Sequence, residues 1–508
     1  MESNSNDEHS ENDYVYSDDE HSENDYVYSD DDMGDYKIED KCITAALQRM
    51  CLEIDNVELL TGFGFGQRIH YSVASSFFEM DKDRLTALNL NGFVSIWLQY
   101  EPHLDEIKVL KVNCIVKGDD EREHSHVVKW LETRLGKFVK ELDRPIFSTK
   151  RKLQEKSTNI LKTILDGVKD IVLNCHKYCL VCSNAIENVG VYPTVCAAEF
   201  CNFCYEEIGV GLPLEHFIEH NTMVFDLLVT LFIASVDNAR AELFYPSRIH
   251  VNEKSFVLHD GSPDWLSLRQ AVNSIPSIDE MLSKVLSLRI FLDGIDVLIY
   301  PLLRWIVASN RSHLRFIPPE VHKLEEICSH LFVLVTAPYK KELAFQKMKQ
   351  SIAEAATVQA ASSSATAATS TTGSILAFHG SPCGNWHSIL RMGLKNFSNT
   401  KYMSSGASYG AGAYFSENIS MSMNYSKAFS FTRLNSSLVK NGSMNCLAIC
   451  ELAENPADVN SRQLPHGMHV IQDEDRIMTR FLLVNPTISN SDPLLMASSL
   501  SHKLSVLL

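Results

Sequence analysis

A multidomain α+β protein is expected from three features of the 508 residues. Acidic charge is gathered at one end, cysteine in one short stretch, and the last third changes from helical spacing to short apolar strands broken by glycine. With 45% apolar residues the chain has ample material for cores of ordinary composition. Four regions follow: an acidic tail over 1–40, a small α+β domain over 41–145, a helical region with a cysteine-rich zinc module over 146–285, and a C-terminal domain of strands and helices over 286–508.

The tail comes first. Residues 1–40 hold 16 acids against one lysine and so carry −15 of the total charge of −18. The other 468 residues are nearly neutral, with 48 acids and 45 bases. Residues 8–19 and 20–31 repeat the same letters, EHSENDYVYSDD. So acidic a segment cannot bury enough apolar surface to offset its chain entropy, and disorder is expected. No basic stripe marks the body, which argues against a sequence-specific nucleic-acid partner. Lys150-Arg151-Lys152 reads as a solvated turn, with a nuclear signal as the alternative.

The N-terminus lacks the basic and apolar parts of a secretory leader. The most apolar stretch, residues 222–236, includes Asp226 and is too short for a membrane helix, so a buried core helix is expected and no membrane partner. Thirteen cysteines without a leader imply reduced thiols or metal sites and a cytoplasmic or nuclear protein.

Between residues 42 and 142 the pattern is globular. Apolar alternation predicts strands over 93–100 and 107–116, and apolar recurrence marks 69–78 as a further element; Val127, Trp130, Leu131, Leu135 and Phe138 have helical spacing. Gly62-Phe-Gly-Phe-Gly66 lacks the spacing of a phosphate-binding loop and reads as a tight turn. Cys51 and Cys114 have no flanking catalytic pattern, so an interaction module is the expected role.

Residues 150–174 read as an amphipathic helix leading into Cys175, Cys179, Cys182, Cys196, Cys201 and Cys204. Even spreading of the cysteines would place fewer than one in those 30 residues. The two C-x2-C pairs, 179/182 and 201/204, have structural zinc spacing. No catalytic histidine or glutamate pattern accompanies them, so a structural metal is expected. Helices are predicted over 213–243 and 276–308, and a buried strand over 331–336. Residues 355–374, almost wholly Ala, Ser and Thr, have no stripe to bury and read as a flexible insert.

The chemistry lies beyond that insert. Residues 375–378 form a strand ending in His379-Gly380, where a missing side chain lets a ligand approach the backbone. Residues 385–391 read as a helix. Gly410 and Gly412 bend the chain before Tyr414, and a helix over 418–428 would set Ser422 and Tyr425 on one face. A histidine, two tyrosines, a serine and an open backbone N–H and C=O suit a flat aromatic amide beside a ribose, the nicotinamide end of NAD.

His379-Gly380-Ser381, Asn385, Gly412-x-Tyr414-Phe415, Ser422 and Asn424-Tyr425 resemble, in order and spacing, the catalytic signature of the PARP-type (diphtheria-toxin-like) ADP-ribosyltransferases, over roughly 331–484. The wider context, with Leu303–His313, Cys446–Glu451 and Thr479–Val484, is similar to the branch of vertebrate PARP members six and eight. The resemblance implies a catalytic domain of split antiparallel sheets. It implies that His379 and Gly380 hold the ribose and carboxamide of NAD, that Ser381 and Asn385 belong to the same site, that Tyr414 lines the nicotinamide-ribose pocket, that Ser422 bonds the amide, and that Tyr425 stacks on nicotinamide. That branch carries a cysteine-rich segment, which favours Cys196 with Cys201, beside Cys179 and Cys182, as ligands. Spacing alone favours Cys201 with Cys204.

One position departs from the family. Where polymerising members have a late-strand glutamate, twelve residues before the pair matched by Arg480-Phe481, this chain has Met468. A thioether cannot hold a ribose hydroxyl as a carboxylate does, nor favour a positively charged transition state. The expectation is therefore transfer of single ADP-ribose units from NAD to protein side chains, including the protein's own, without elongation. The alternative is an NAD-binding scaffold with weak or lost turnover. Asp473, Glu474 and Asp475 lie nearby but read as a solvated hairpin tip.

Overall fold

The computed structural model describes strands 57–61, 68–74, 93–101 and 106–115, a helical stretch over 130–138 without 132, then 165–186, 194–205 and 213–487 with short gaps at 239, 323–326, 338, 363–373, 404–407, 432–435, 454–463 and 465–466. The expected tail, the glycine run at 62–66 and the basic run at 150–152 lie outside the described residues.

Strands β1 (Val57–Thr61), β2 (Arg68–Ala74), β3 (Phe93–Glu101) and β4 (Glu106–Ile115) form an antiparallel sheet in chain order. The predicted strands at 93–100 and 107–116 become β3 and β4, paired from Phe93↔Ile115 to Glu101↔Glu106 with a register shift at Trp97/Leu98. The helical spacing after 126 gives a helix over 130–138 with Leu131 and Leu135 buried.

Two helices, α1 (Leu214–His220) and α2 (Thr222–Ser235), meet at 112°. No single described helix is long and apolar enough to cross a membrane. Instead α2 is buried on nearly every face. Its Asp226 is satisfied by protein partners: Ser437 donates to it from N and Oγ, and Thr230 from Oγ. A polar group inside an apolar helix persists only when so paired. Helix α3 (Ile299–Ser309) packs beside α2.

The C-terminal part is a seven-stranded antiparallel sheet. Its strands are β5 (His313–Ile317), β6 (His330–Thr336), β7 (Ile375–Gly380), β8 (Ala413–Ser416), β9 (Cys446–Leu452), β10 (Met468–Ile471) and β11 (Ile477–Val484), in the order β10-β8-β7-β9-β11-β6-β5. Strands β9 and β11 are central and wholly apolar but for Glu451, Thr479 and Arg480, as fully covered strands must be. Where split sheets were expected, the seven strands hydrogen-bond into one sheet, at its narrowest where β8 meets β7 through the single pair Ser416↔Phe378. The two halves diverge from that point, and the cleft opens there.

Helix α4 (Tyr339–Ser362) precedes β7. It runs through the first eight residues of the expected insert, so the alanines of that segment continue a helix that tertiary contacts begin nearer Phe345; only 363–373 lie outside the described residues. The α4 residue Glu342 and the β9 residue Glu451 clasp the buried Arg480 of β11. Helix α5 (Trp386–Met392) is stitched to α3 by Arg391, which donates to Ser309 Oγ and the Ile306 carbonyl.

The predicted helix over 418–428 is shorter in the structure. Helix α6 spans only Ile419–Met423, capped by the Asn418 side chain. Serine and asparagine compete with helical hydrogen bonding, and Ser426 Oγ is drawn instead to the Cys446 carbonyl on β9. Tyr425 therefore sits in the turn after α6, not on its face.

Candidate active site

The cleft lies where β7 and β8 part, an open space of about 1040 Å³. His379, Gly380, Ser381, Tyr414, Ser422, Tyr425 and Met468 all line it. Asn385 does not. It is buried behind the wall, donating to Ser381 Oγ at 2.9 Å and accepting from Asn238 Nδ2 at 3.0 Å.

Gly380 is fixed by its surroundings. A Cβ there would stand 1.8 Å from the Ser422 carbonyl oxygen and 3.1 Å from the Ser426 nitrogen. The close approach the sequence suggested is thus first an approach of α6 to β7, which sets Ser422 and Tyr425 beside Gly380. Ser422 Oγ donates to the Phe378 carbonyl at 3.0 Å, leaving its lone pairs for an incoming N–H. Tyr425 is 46% exposed, so its ring face is available for stacking.

The opposite wall is β8. Gly412 enters it at φ +149°, with a Cβ position 2.7 Å from Val470 Cγ1, so only glycine fits the bend. Tyr414 follows. Its hydroxyl donates to the Gly410 carbonyl at 2.6 Å and accepts from the Tyr409 N–H at 2.9 Å. That phenol braces the glycine turn as well as lining the cleft.

His379 Nδ1 lies 2.8 Å from the Tyr414 carbonyl, which can only accept, so Nδ1 carries the proton and Nε2 keeps a lone pair. Burial pulls its pKa down to about 4, opposed by that bond and helped by the positive charge of Arg240. At neutral pH the ring is an uncharged acceptor, suited to a ribose hydroxyl.

Met468 is 9% exposed and stands across the strand pair from Ser416. No carboxylate lines the cleft among the described residues. The three acids after β10 face elsewhere. Glu474 accepts from Lys395 Nζ and the Asn396 N–H, Asp473 caps the short turn at 474–476, and Asp475 faces Lys341. Glu417, next to Ser416 in sequence, accepts from His469 on the other face of the strand pair.

A lining residue that pattern reading missed is Arg240, from the segment after α2. Nothing in the local sequence marks it, because it enters the cleft through the fold and not through a motif.

In the cysteine-rich segment, the thiols of Cys179, Cys182, Cys196 and Cys201 lie within 4.8 Å of one another, and Cys204 is not among them. Cys182 and Cys196 sulfurs are 3.8 Å apart. Tetrahedral zinc with Zn–S near 2.3 Å needs S···S of about 3.8 Å, so the donor set fits the ion. Burial raises the Cys179 thiol, but backbone N–H groups at Cys182, Cys196 and Val181 overcome it, and the net pKa falls to about 7. Burial pushes the Cys201 thiol up. The Trp130 indole donates to the Cys179 carbonyl at 3.1 Å and holds the first turn.

A sequence profile of the poly(ADP-ribose) polymerase catalytic domain matches residues 332–484, the stretch that holds β6 to β11 and the cleft. Among curated proteins the chain is similar to protein mono-ADP-ribosyltransferase PARP8 of Mus musculus, 31% identical over 345 residues that cover 62% of this chain and 37% of the relative. It is similar to PARP8 of Homo sapiens at 30% identity over the same coverage. The chain spans a little over a third of the length of these relatives. Match, sheet and cleft fall on the same stretch: residues 332–484, which resemble the poly(ADP-ribose) polymerase catalytic domain, hold most of the cleft.

Proposed function

We propose that the protein is an NAD-dependent mono-ADP-ribosyltransferase acting on protein side chains, its own included. The observation that carries the reading is the convergence of Gly380, Ser422, Tyr425, His379 and Tyr414 on one cleft. The Gly380 backbone and Ser422 take the carboxamide of nicotinamide, Tyr425 covers the pyridine face, and the neutral His379 Nε2 accepts from a ribose hydroxyl. Ser381 completes the backbone turn, and Asn385 acts behind it as a positioning residue through its bond to Ser381 Oγ.

In the reaction the bond between ribose C1 and the nicotinamide nitrogen breaks, and its electron pair stays with the nicotinamide. Positive charge develops on the ribose. A nucleophilic side chain of the acceptor attacks C1 and gives up its proton. Met468 offers that charge no counter-charge, and loss of a preorganised electrostatic group costs about 2.7–4 kcal/mol of barrier. Slow transfer of single units is the consequence, because binding and orientation still favour nicotinamide departure. With no carboxylate to activate an acceptor ribose, chains do not grow. Zinc held by Cys179, Cys182, Cys196 and Cys201 serves as a structural brace.

Incubation with labelled NAD, followed by mass spectrometry, tests this. Single ADP-ribose groups should appear on the wild type and disappear in His379→Ala and Tyr414→Ala. The cleft's lack of a carboxylate among the described residues favours a second reading, an NAD-binding scaffold without turnover. Calorimetric binding of a non-hydrolysable NAD analogue without any labelling would establish that one instead.

A further inference from the structure

We infer that Arg240, supplied by the helical unit upstream of the matched catalytic segment, is the cation that binds the diphosphate of the dinucleotide. The inference rests on the cleft being an NAD site. It starts from the charges that line the cleft. Among the described lining residues only Arg240 and Lys395 are cations, and Lys395 is already neutralised by Glu474. Arg240 is half-buried, and among the described residues no carboxylate pairs with it. A guanidinium withdrawn from water without a counter-ion is costly unless something anionic is meant to meet it.

The geometry says where that anion lies. Arg240 Nε and Nη2 both donate to the Tyr402 carbonyl, at 3.3 and 3.0 Å, and the guanidinium sits 4.7 Å from the Phe397 ring centroid. Those contacts use two of its five N–H groups and leave three. Its charge also reaches His379. The nicotinamide end of the cleft is Gly380, Ser422 and Tyr425, so a dinucleotide seated there must run past His379 toward Phe397. Arg240 lines the same cleft between those two, against the Phe397 ring and with its charge felt at His379. A planar fork with three free donors matches phosphate oxygens.

The position is built, not incidental. Asn238 Oδ1 accepts from the Arg240 N–H at 2.9 Å, and Asn238 Nδ2 donates to Asn385 behind the cleft wall. The wall is close: a Cβ on Gly384 would lie 2.5 Å from the Ala234 carbonyl at the end of α2. Arg240 is therefore tied to Ser381 through a chain of hydrogen bonds that runs by way of Asn238 and Asn385.

The test uses the full chain and four probes: ADP-ribose, adenosine, nicotinamide and salt. Calorimetry on Arg240→Ala should show ADP-ribose binding weakened about ten- to a hundredfold, the range for losing a hydrogen-bonded charge pair. Adenosine and nicotinamide should bind within about twofold of wild type, since neither carries a phosphate. Raising salt should weaken ADP-ribose on the wild type and much less on the variant. Because the substitution also frees the Tyr402 carbonyl, Glu242→Ala serves as comparator: it releases the same loop, through Tyr402 and Lys401, and keeps the cation. It should change ADP-ribose affinity less than about threefold. Unchanged ADP-ribose binding in Arg240→Ala, equal losses for ADP-ribose and adenosine, or an equal loss in Glu242→Ala would each overturn the assignment while leaving the functional reading intact. A wild type that binds neither ADP-ribose nor nicotinamide would overturn both.

Discussion

Met468 and Ser416 face each other across the β8–β10 pair, and through that pairing a thioether, not a carboxylate, lines the cleft. Putting the charge back is the most direct test of what its absence costs. Met468→Glu should raise NAD consumption about tenfold or more, approaching the span attributed to a single preorganised group. Labelled nicotinamide release measures it. A rate no higher than wild type would show that the missing charge is not what limits turnover.

Gly380 tolerates nothing larger. The added carbon of Gly380→Ala would overlap the Ser422 carbonyl. Forcing α6 away should cost about 1–3 kcal/mol of stability and abolish nicotinamide binding. Denaturant titration and calorimetry read the two effects separately.

Tyr425 is expected to act through its ring face. Tyr425→Phe should bind nicotinamide as the wild type does, whereas Tyr425→Ala should weaken it by the stacking contribution, about 0.5–1.5 kcal/mol or two- to twelvefold. Equal affinity in all three proteins would remove the ring from the site.

Three histidines set the acid limit. Burial lowers His313 and His379 to about 4 and holds His387 well below the ordinary imidazole range. Between about pH 6.5 and 4 the unfolded chain takes up protons at these rings and the folded chain does not, so stability falls as pH falls through that window. Above about pH 6.5 these groups add no slope. Melting temperature against pH should show it, and transfer activity should be level from neutral pH down to near 5.5, until His379 begins to charge. A stability maximum near pH 5 would contradict the assignment.

The cysteine cluster predicts one zinc per chain. Elemental analysis should find it in the wild type and lose it in Cys179→Ser and Cys201→Ser. Because the Trp130 indole is bonded to the Cys179 carbonyl, chelation should also shift tryptophan emission. Unchanged emission with full metal loss would break the link between the metal and that turn.

How much was legible in the chain divides along the range of the contacts. His379-Gly380, Gly412-x-Tyr414 and Ser422 could be read because each is set by a local strand end, bend or short helix, and the sheet then brings the three together. Tyr425 was found for a partly wrong reason: the expected long helix stops at Met423, because Ser426 is captured by the sheet. The reach of α4 to Ser362 was hidden too, since alanine-rich sequence has helix propensity but no apolar stripe to announce it. Arg240 was invisible. It meets Phe397 and Tyr402 across more than 150 residues of chain, and no spacing rule carries information over that distance.

The helices that floor the sheet have a practical consequence. Phe232 and Trp305 share one continuous apolar cluster with Trp386, Leu390, Leu482 and Val484, so the catalytic segment and the helices before it are a single cooperative body. A fragment cut at residue 332, where the family match begins, would bare the underside of that cluster to water. It should aggregate or melt early, and a shortened chain that keeps its fold has to start upstream of Leu214.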